Sequence, residues 1–275
     1  MATKCLILGA KGMLGTELSF IFRDYHPILW DRAELDITIE NDVEEKIEKL
    51  KPQLIINSAA YTNVDGAETN QEVANKVNGE AVGYLARVAK ELDAVLIHYS
   101  TDYVFDGKNK EGYKENDPTN PINAYGQSKL IGEKALRENC RRYYLIRTSW
   151  LYGKIGNNFV ETIIRLGKEK NEVRVVNDQF GKPTYAVDLA QRTRELVEER
   201  KEYNIYHITN EGVTSWYGFA KEIYKQIGLT TKVIPVGTSE FPRPAQRPNY
   251  SSLINTKLTP SRHWKEALAE YFAKR

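Results

Sequence analysis

The stretch KCLILGAKGMLG, residues 4–15, decides the fold. KCLILGA opens with an apolar run of strand length, too short to make a helix by itself. The run gives way to Gly9, Gly12 and Gly15, and the helix-like stretch MLGTELSFIFRDY follows at once. Strand, glycine turn, helix is the opening unit of a parallel sheet wound with helices. Glycines there let the backbone turn tightly and come close to a pyrophosphate, and the helix N-terminus adds about half a positive charge. The triplet is read as a dinucleotide-binding turn, with a plain tight turn as the alternative.

The same alternation continues outward from that stretch. PILW, QLIINSAA, AVLIHYS and YYLIRTS read as strands. NDVEEKIEKLK (with Asn41 or Asp42 as N-cap), EAVGYLARVAKELD and AYGQSKLIGEKALREN read as helices. Short apolar runs separated by helices are strands buried on both faces. Five β–α repeats with right-handed crossovers predict an α/β fold, a Rossmann-like doubly wound parallel sheet. After Trp150 the rhythm loosens. Helices are expected at NNFVETIIRLGKEK, AVDLAQRTRELVEER, SWYGFAKEIYKQIG and HWKEALAEYFAKR, strands at EVRVVND and NIYHIT, and a Pro/Arg-rich loop at PVGTSEFPRPAQRPNY. The reading is a smaller C-terminal α/β substrate domain interleaved with the first. It assigns 1–150 plus 171–210 to the dinucleotide-binding half and 151–170 plus 211–275 to the substrate half.

Composition bounds the function. Apolar residues make up 41% and charged residues 28%, ordinary for a soluble globular protein. A net charge of +2 gives no global field for nucleic acid or membrane, while local basic residues remain free to meet an anionic small molecule. The opening residues lack the apolar region and cleavage site of a signal peptide, and no apolar run approaches the ~20 residues that span a bilayer. Cys5 and Cys140 are read as buried thiols rather than a disulfide, which fits the cytoplasm. No cluster reads as a metal site.

The strand ends carry the chemistry. Asp31 lies 22 residues beyond Gly9, where an acid accepts hydrogen bonds from a ribose and favours NAD. Arg32 follows, and a guanidinium there suits a 2′-phosphate and NADP. The pair leaves NADH and NADPH both open, with a solvated turn as the bland alternative. Ala59 and Ala60 put small residues at the carboxyl edge, for ligand or for tight packing. Tyr61 and Thr62 follow them, and Asp65 is a candidate cap for a further helix. HYSTDYVFDG places Ser100, Thr101, Asp102 and Tyr103 at the same edge.

NAYGQSK sets Tyr125 four residues before Lys129, on one face of a helix. With 17 tyrosines and 23 lysines, chance alone supplies about one to two such spacings, and YGFAK at Tyr217 and Lys221 is another. Context separates them. Thr101 lies 24 residues before Tyr125, so a strand-end hydroxyl and the pair can converge on one carbonyl. SWYGFAKEIYKQIG has the spacing of a packing helix instead. A tyrosine with pKa ~10 is a slow acid at neutral pH, and reaching ~7 needs about 4 kcal/mol of differential stabilisation. An exposed cation gives roughly 1 kcal/mol at 4 Å, so the expected pocket is partly dry, with Lys129 favouring the phenolate and Thr101 donating to the carbonyl oxygen.

Glycine turn, strand-end hydroxyl and Tyr-x-x-x-Lys together resemble the extended short-chain dehydrogenase/reductase superfamily. AAYTNVDGAE, YSTDYVFDG, NAYGQSKLIGE, IRTSWLYG and VVNDQFGKPTYAVDLA resemble, more narrowly, the dTDP-4-dehydrorhamnose reductase family, over about Lys4 to Leu258. The resemblance implies NAD(P)H-dependent reduction of the 4-keto group of dTDP-4-dehydro-6-deoxy-L-mannose. It makes Tyr125 the proton donor, Lys129 the holder of the nicotinamide ribose and Thr101 the group that polarises the ketone. Met13, Leu14, Asp31, Asp36, Ile37, Ala59, Ala60 and Tyr61 are implied to touch the dinucleotide. Asp102, Tyr103 and Trp150 are implied to line the sugar nucleotide site, Trp150 by laying a flat ring on the deoxysugar or else serving as core. Arg243 and Arg247 are candidates for the substrate diphosphate, with surface solubility as the alternative. The family's association with Mg²⁺ and a possible homodimer remain expectations. Two rival readings stay open: a related epimerase or 4-ketoreductase of another deoxysugar, and a non-catalytic regulatory relative.

Overall fold

The structure, a computed structural model, describes residues 3–275. Its strands are β1 (Cys5–Leu8), β2 (Ile28–Trp30), β3 (Leu54–Asn57), β4 (Val95–Thr101), β5 (Tyr143–Thr148), β6 (Leu151–Tyr152), β7 (Glu172–Val176), β8 (Phe180–Gly181), β9 (Thr184–Tyr185), β10 (Asn204–His207), β11 (Thr214–Ser215) and β12 (Lys232–Val236). The helices are α1 (Met13–Ile21), α2 (Glu40–Leu50), α3 (Val64–Thr69), α4 (Gln71–Asn75), α5 (Ala81–Glu91), α6 (Ala124–Asn139), α7 (Phe159–Glu169), α8 (Ala186–Glu198), α9 (Trp216–Ile227) and α10 (Trp264–Lys274).

Six parallel strands, in the order β10-β5-β4-β3-β1-β2, form the central sheet. Strand alternation sends Leu6 and Leu8 to one face, against Val43 and Ile47 of α2, Val82 and Leu85 of α5 and Leu136 of α6. Cys5 and Ile7 go to the other face, with Leu14 and Leu18 of α1 and Leu189 and Leu196 of α8. Both faces are dry, which is why these strands read as continuous apolar runs. The doubly wound α/β reading therefore holds. Cys5 and Cys140 are both buried and free.

Three local expectations differ. Helix α2 begins at Glu40 with Ile39 as its N-cap, so Asn41 and Asp42 lie inside the first turn, where Glu40 and Asp42 favour the helix dipole. Helices α3 and α4 and a π-helical turn, Lys76–Glu80, fill a stretch with no apolar periodicity. A Cβ at Gly132 of α6 would stand 2.1 Å from Asn78 O, so the π turn rests directly on α6. Strand β12 runs from residues given no element into the expected loop, taking its Pro235 and Val236. It pairs in parallel with β7, Val233 beside Val173 and Val236 beside Val176.

That pairing bears on the domain division. Strand β7 was grouped with the dinucleotide half, yet Val173 and Val175 pack with Tyr152, Ile164, Phe219, Ile223 and Leu268 in a second core. The physical reason is register: β7 finds its ladder partner in β12, not in the six-stranded sheet. Helix α8 packs Leu189 and Leu196 on the central sheet, and β10 pairs with β5 at its edge.

Strand β1 lies between β2 and β3, so the winding reverses there and opens a crevice at the carboxyl ends. Gly9, at φ +71°, closes its floor: a Cβ on it would stand 2.7 Å from Ala59 N.

Candidate active site

The crevice is a cavity of about 980 Å³ that runs along the carboxyl edge of the sheet. Gly9, Gly12, Met13 and Leu14 line one end, with Asp31, Arg32, Asp36 and Ile37 beside them. Ala59, Ala60, Tyr61 and Thr62 form a middle wall, and Thr101, Asp102, Tyr125, Lys129 and Trp150 line the other end. Residues read from five separate strand ends and helix starts thus meet around one space. Gly15 lies beneath the turn, where a Cβ would stand 2.0 Å from Gly9 O. Helix α1 starts at Met13, and its N-cap, Gly12, has no side chain to cap it. An uncapped helix start behind a Cβ-free turn leaves backbone N–H groups for an anion, so these residues fit a dinucleotide's pyrophosphate.

At the rim, the Arg32 side chain is 87% exposed and pairs with Asp36 at 3.1 Å. Asp36 also accepts from Thr38 Oγ1 at 2.7 Å and Thr38 N at 3.0 Å, bonds that hold its carboxyl below the usual range, with Arg32 adding to them. Asp31 Oδ1 accepts from Arg32 N at 3.2 Å.

Helix α6 positions Tyr125 and Lys129. Asn123 Oδ1 caps it by accepting from Gly126 N at 2.7 Å, and Glu68 Oε1 accepts from Ala124 N at 2.8 Å. A Cβ at Gly126 would stand 2.1 Å from Tyr103 O, so the first turn of α6 sits on the 3₁₀ turn Asp102–Val104. Tyr103 is outside the cavity lining, with its ring edge-on to that of Tyr125, centroids 6.0 Å apart. Thr101 Oγ1 accepts from Tyr103 N at 3.1 Å and lies 3.0 Å from Asp102 Oδ1.

Burial dominates the titrations. It pushes the Tyr125 phenol up to about 12, with Asp102 adding to it and the Thr101 hydroxyl opposing it. No pull from Lys129 lowers the phenol, contrary to expectation; burial drops Lys129 itself to about 8, against the Glu133 carboxylate. Without ligands, the phenol is held protonated, the state a proton donor needs. Asp102 is pushed up to about 7 by burial, against the hydroxyls of Ser251 and Thr101.

Several residues of this site escaped the sequence reading. Ala59 N donates to Asn57 Oδ1 at 3.1 Å, which turns Asn57 Nδ2 toward His98 Nδ1 at 3.2 Å. His98 Nε2 in turn lies 3.4 Å from Lys129 Nζ, and burial keeps this imidazole well below its ordinary pKa and so neutral. Asn78 bonds Tyr61 N and O, each at 2.9 Å, and Ser128 Oγ at 3.0 Å, tying the middle wall to α6. Glu133 holds Arg147 at 2.6 Å and accepts from Ser100 Oγ at 2.5 Å. His98 and Ser100 sit inside a stretch the sequence did single out, but no local pattern shows what they face.

Four predicted residues do not line the cavity: Gly15 and Tyr103, described above, and Arg243 and Arg247. Arg247 makes a paired contact with Asp65, 2.9 and 3.0 Å, and Arg243 reaches the same carboxylate at 3.6 Å. Asp65 therefore binds these arginines, and the cap of α3 is Asn63. Trp150 does line the cavity, in a left-handed conformation at φ +48°. One face of its indole is stacked on Trp216, centroids 3.5 Å apart, so that face is closed to a sugar. Among the described residues, no three His, Cys, Asp or Glu side chains gather in a way that could hold a metal, and no helix is long and apolar enough to cross a membrane.

A family model described as RmlD substrate binding domain matches residues 3–275. The dTDP-4-dehydrorhamnose reductase of Burkholderia thailandensis is 40% identical over 274 residues, covering 93% of this chain and 91% of that one. The chain belongs to the dTDP-4-dehydrorhamnose reductase family. Another member-like relative, the spore coat polysaccharide biosynthesis protein SpsK of Bacillus subtilis, is 39% identical over 279 residues, 99% of this chain and 98% of its own. Among solved structures, the dTDP-4-dehydrorhamnose reductase of Bacillus anthracis, in complex with NADP, superposes with a TM-score of 0.97 at 39% identity, covering 100% of both chains.

Proposed function

We propose that this protein reduces the 4-keto group of dTDP-4-dehydro-6-deoxy-L-mannose, giving dTDP-L-rhamnose, with NADPH as reductant. The observation that carries this reading is the gathering of Thr101, Tyr125 and Lys129 at one end of the cavity whose other end is the glycine turn. When bound, the reduced nicotinamide supplies the hydride. Gly9, Gly12, Met13 and Leu14 hold its pyrophosphate and adjoining groups, and Ala59, Ala60 and Tyr61 flank it. Arg32, exposed at the rim and tethered only to Asp36, is the group for a 2′-phosphate. Lys129 holds the ribose next to the nicotinamide.

Tyr125 gives its proton to the keto oxygen as that oxygen becomes an alkoxide. A phenol kept protonated by burial is in the right state at the start of each reduction. Thr101 directs its hydroxyl at the same oxygen, where negative charge develops. Asp102 and the free edge of Trp150 shape the sugar end, and Tyr103, outside the lining, supports Tyr125 edge-on. Arg243 and Arg247, neutralised in part by Asp65, serve the diphosphate only when it draws them from that carboxylate. Two buried free thiols suit the reducing cytoplasm as the place of this reaction.

The test is direct. Purified protein, dTDP-4-dehydrorhamnose and NADPH should consume the reduced cofactor in a 1:1 ratio with dTDP-L-rhamnose formed. A change of sugar without net NADPH consumption would replace this reading with an epimerase, and no turnover on any 4-keto sugar would point to a binding protein.

A further inference from the structure

Thr101 has one hydroxyl proton and two claims on it. A threonine hydroxyl donates once and accepts twice. Tyr103 N–H already occupies one acceptor site at 3.1 Å, and Asp102 Oδ1 stands 3.0 Å away. An ionised carboxylate can only accept, so ionised Asp102 would take the single Thr101 proton and leave none for the ketone. The second carboxyl oxygen, Asp102 Oδ2, is buried, lines no hydrogen bond, and belongs to a side chain that is 2% exposed on the cavity wall. A buried carboxylate oxygen with no partner is costly, which favours the neutral acid.

We propose that Asp102 works as a protonated carboxylic acid that donates to Thr101 Oγ1 and thereby frees the Thr101 proton for the substrate's keto oxygen. No bond to carbon is made or broken by Asp102. Its proton stays between Oδ1 and Oγ1, while the proton consumed in the reduction comes from Tyr125. Asp102 is a positioning residue, acting through Thr101. The inference rests on the ketone-reduction reading above. The groups facing the carboxyl are Thr101 at the end of β4, Tyr103 in its own turn, Tyr125 of α6 and Ser251 of the C-terminal segment, with Arg247 and Asp65 behind Tyr103. None of the charged ones pairs with Asp102 directly, so burial favours the neutral form, against the hydroxyls of Ser251 and Thr101.

The sign follows from the chemistry. Activity is full where Asp102 is protonated and falls as pH rises through its folded pKa. The single-turnover rate of NADPH oxidation in the wild-type protein should drop about tenfold per pH unit above a midpoint at or above about 7. In Asp102→Asn, whose amide N–H₂ always donates, each rate normalised to the variant's own plateau should stay flat over that range. Thr101→Val should be flat as well, because the residue through which Asp102 acts is gone. A limb that persists in Asp102→Asn or in Thr101→Val, or one absent from the wild type, would overturn the proposal. Carbon-13 NMR of aspartate carboxyls in the ligand-free wild type gives a readout independent of turnover. The signal missing from Asp102→Asn should titrate near pH 7, and titration near 4 would also overturn it. If the protein reduces no ketone but this carboxyl still titrates near 7, the functional reading has failed and the protonation has not.

Discussion

Two helices of this protein begin alike. Helix α6 starts Asn123-Ala124-Tyr125-Gly126 and carries Lys129. Helix α9 starts Ser215-Trp216-Tyr217-Gly218 and carries Lys221. Each is capped by a polar side chain that accepts from the glycine N–H, at 2.7 Å from Gly126 and 3.1 Å from Gly218. The local rules are satisfied equally well. What differs is where each helix is delivered. Lys129 is 2% exposed and opens on the cavity, beside Thr101 at the end of a central strand. Lys221 is exposed, with Nζ 5.5 Å from the Tyr217 ring, and Tyr217 packs against the second core. A Tyr-x-x-x-Lys spacing makes a helix face; only the sheet edge makes it a site.

Paired substitutions sharpen that contrast. Lys129→Met should lower kcat/KM for the keto sugar by about 10²–10³-fold, the range for removing one preorganised electrostatic group. Lys221→Met should change it less than twofold, measured in the same cofactor-oxidation assay. Similar losses from both would end the distinction between the helices.

The glycines after each tyrosine test packing rather than chemistry. A Cβ at Gly126 would meet the fixed backbone of Tyr103 at 2.1 Å. Gly126→Ala should therefore cost about 1–3 kcal/mol in denaturant unfolding, because α6 must lift off the 102–104 turn. A Cβ at Gly218 would meet Thr214 Oγ1 at 2.5 Å, the end of a rotatable side chain. Gly218→Ala should cost under about 1 kcal/mol. At the cofactor rim, Arg32→Ala should raise KM for NADPH about tenfold, worth about 1.4 kcal/mol, and leave that for NADH nearly unchanged. Equal shifts for both cofactors would assign Arg32 to something other than the 2′-phosphate.

Much of this architecture could be read because burial on both sheet faces writes itself into short apolar runs such as Cys5–Leu8 and Leu54–Asn57. The ends of those strands are then forced to one edge, so Gly9, Ala59, Thr101 and Tyr125 could be gathered from chain order alone. Helices α3 and α4 left no such trace. Their residues are mostly polar, and they pack on α6, as does the π turn after them through Asn78 and Gly132. Strand β12 contains Pro235 and takes its register from β7, a partner about 60 residues away. His98 and Asn78 were hidden for the same reason: they reach α6 across 31 and 50 residues, through contacts that no spacing predicts. Arg243 and Arg247 were read as diphosphate candidates because their common partner, Asp65, lies about 180 residues upstream in a stretch read as a helix cap.

Turnover of Tyr125→Phe beside Tyr217→Phe, at saturating NADPH and keto sugar, puts the central claim to the hardest trial. Loss of the proton donor should cost Tyr125→Phe about 10²–10⁴-fold in kcat while the protein still binds NADPH, with Tyr217→Phe within twofold of wild type. Wild-type turnover in Tyr125→Phe would contradict the account.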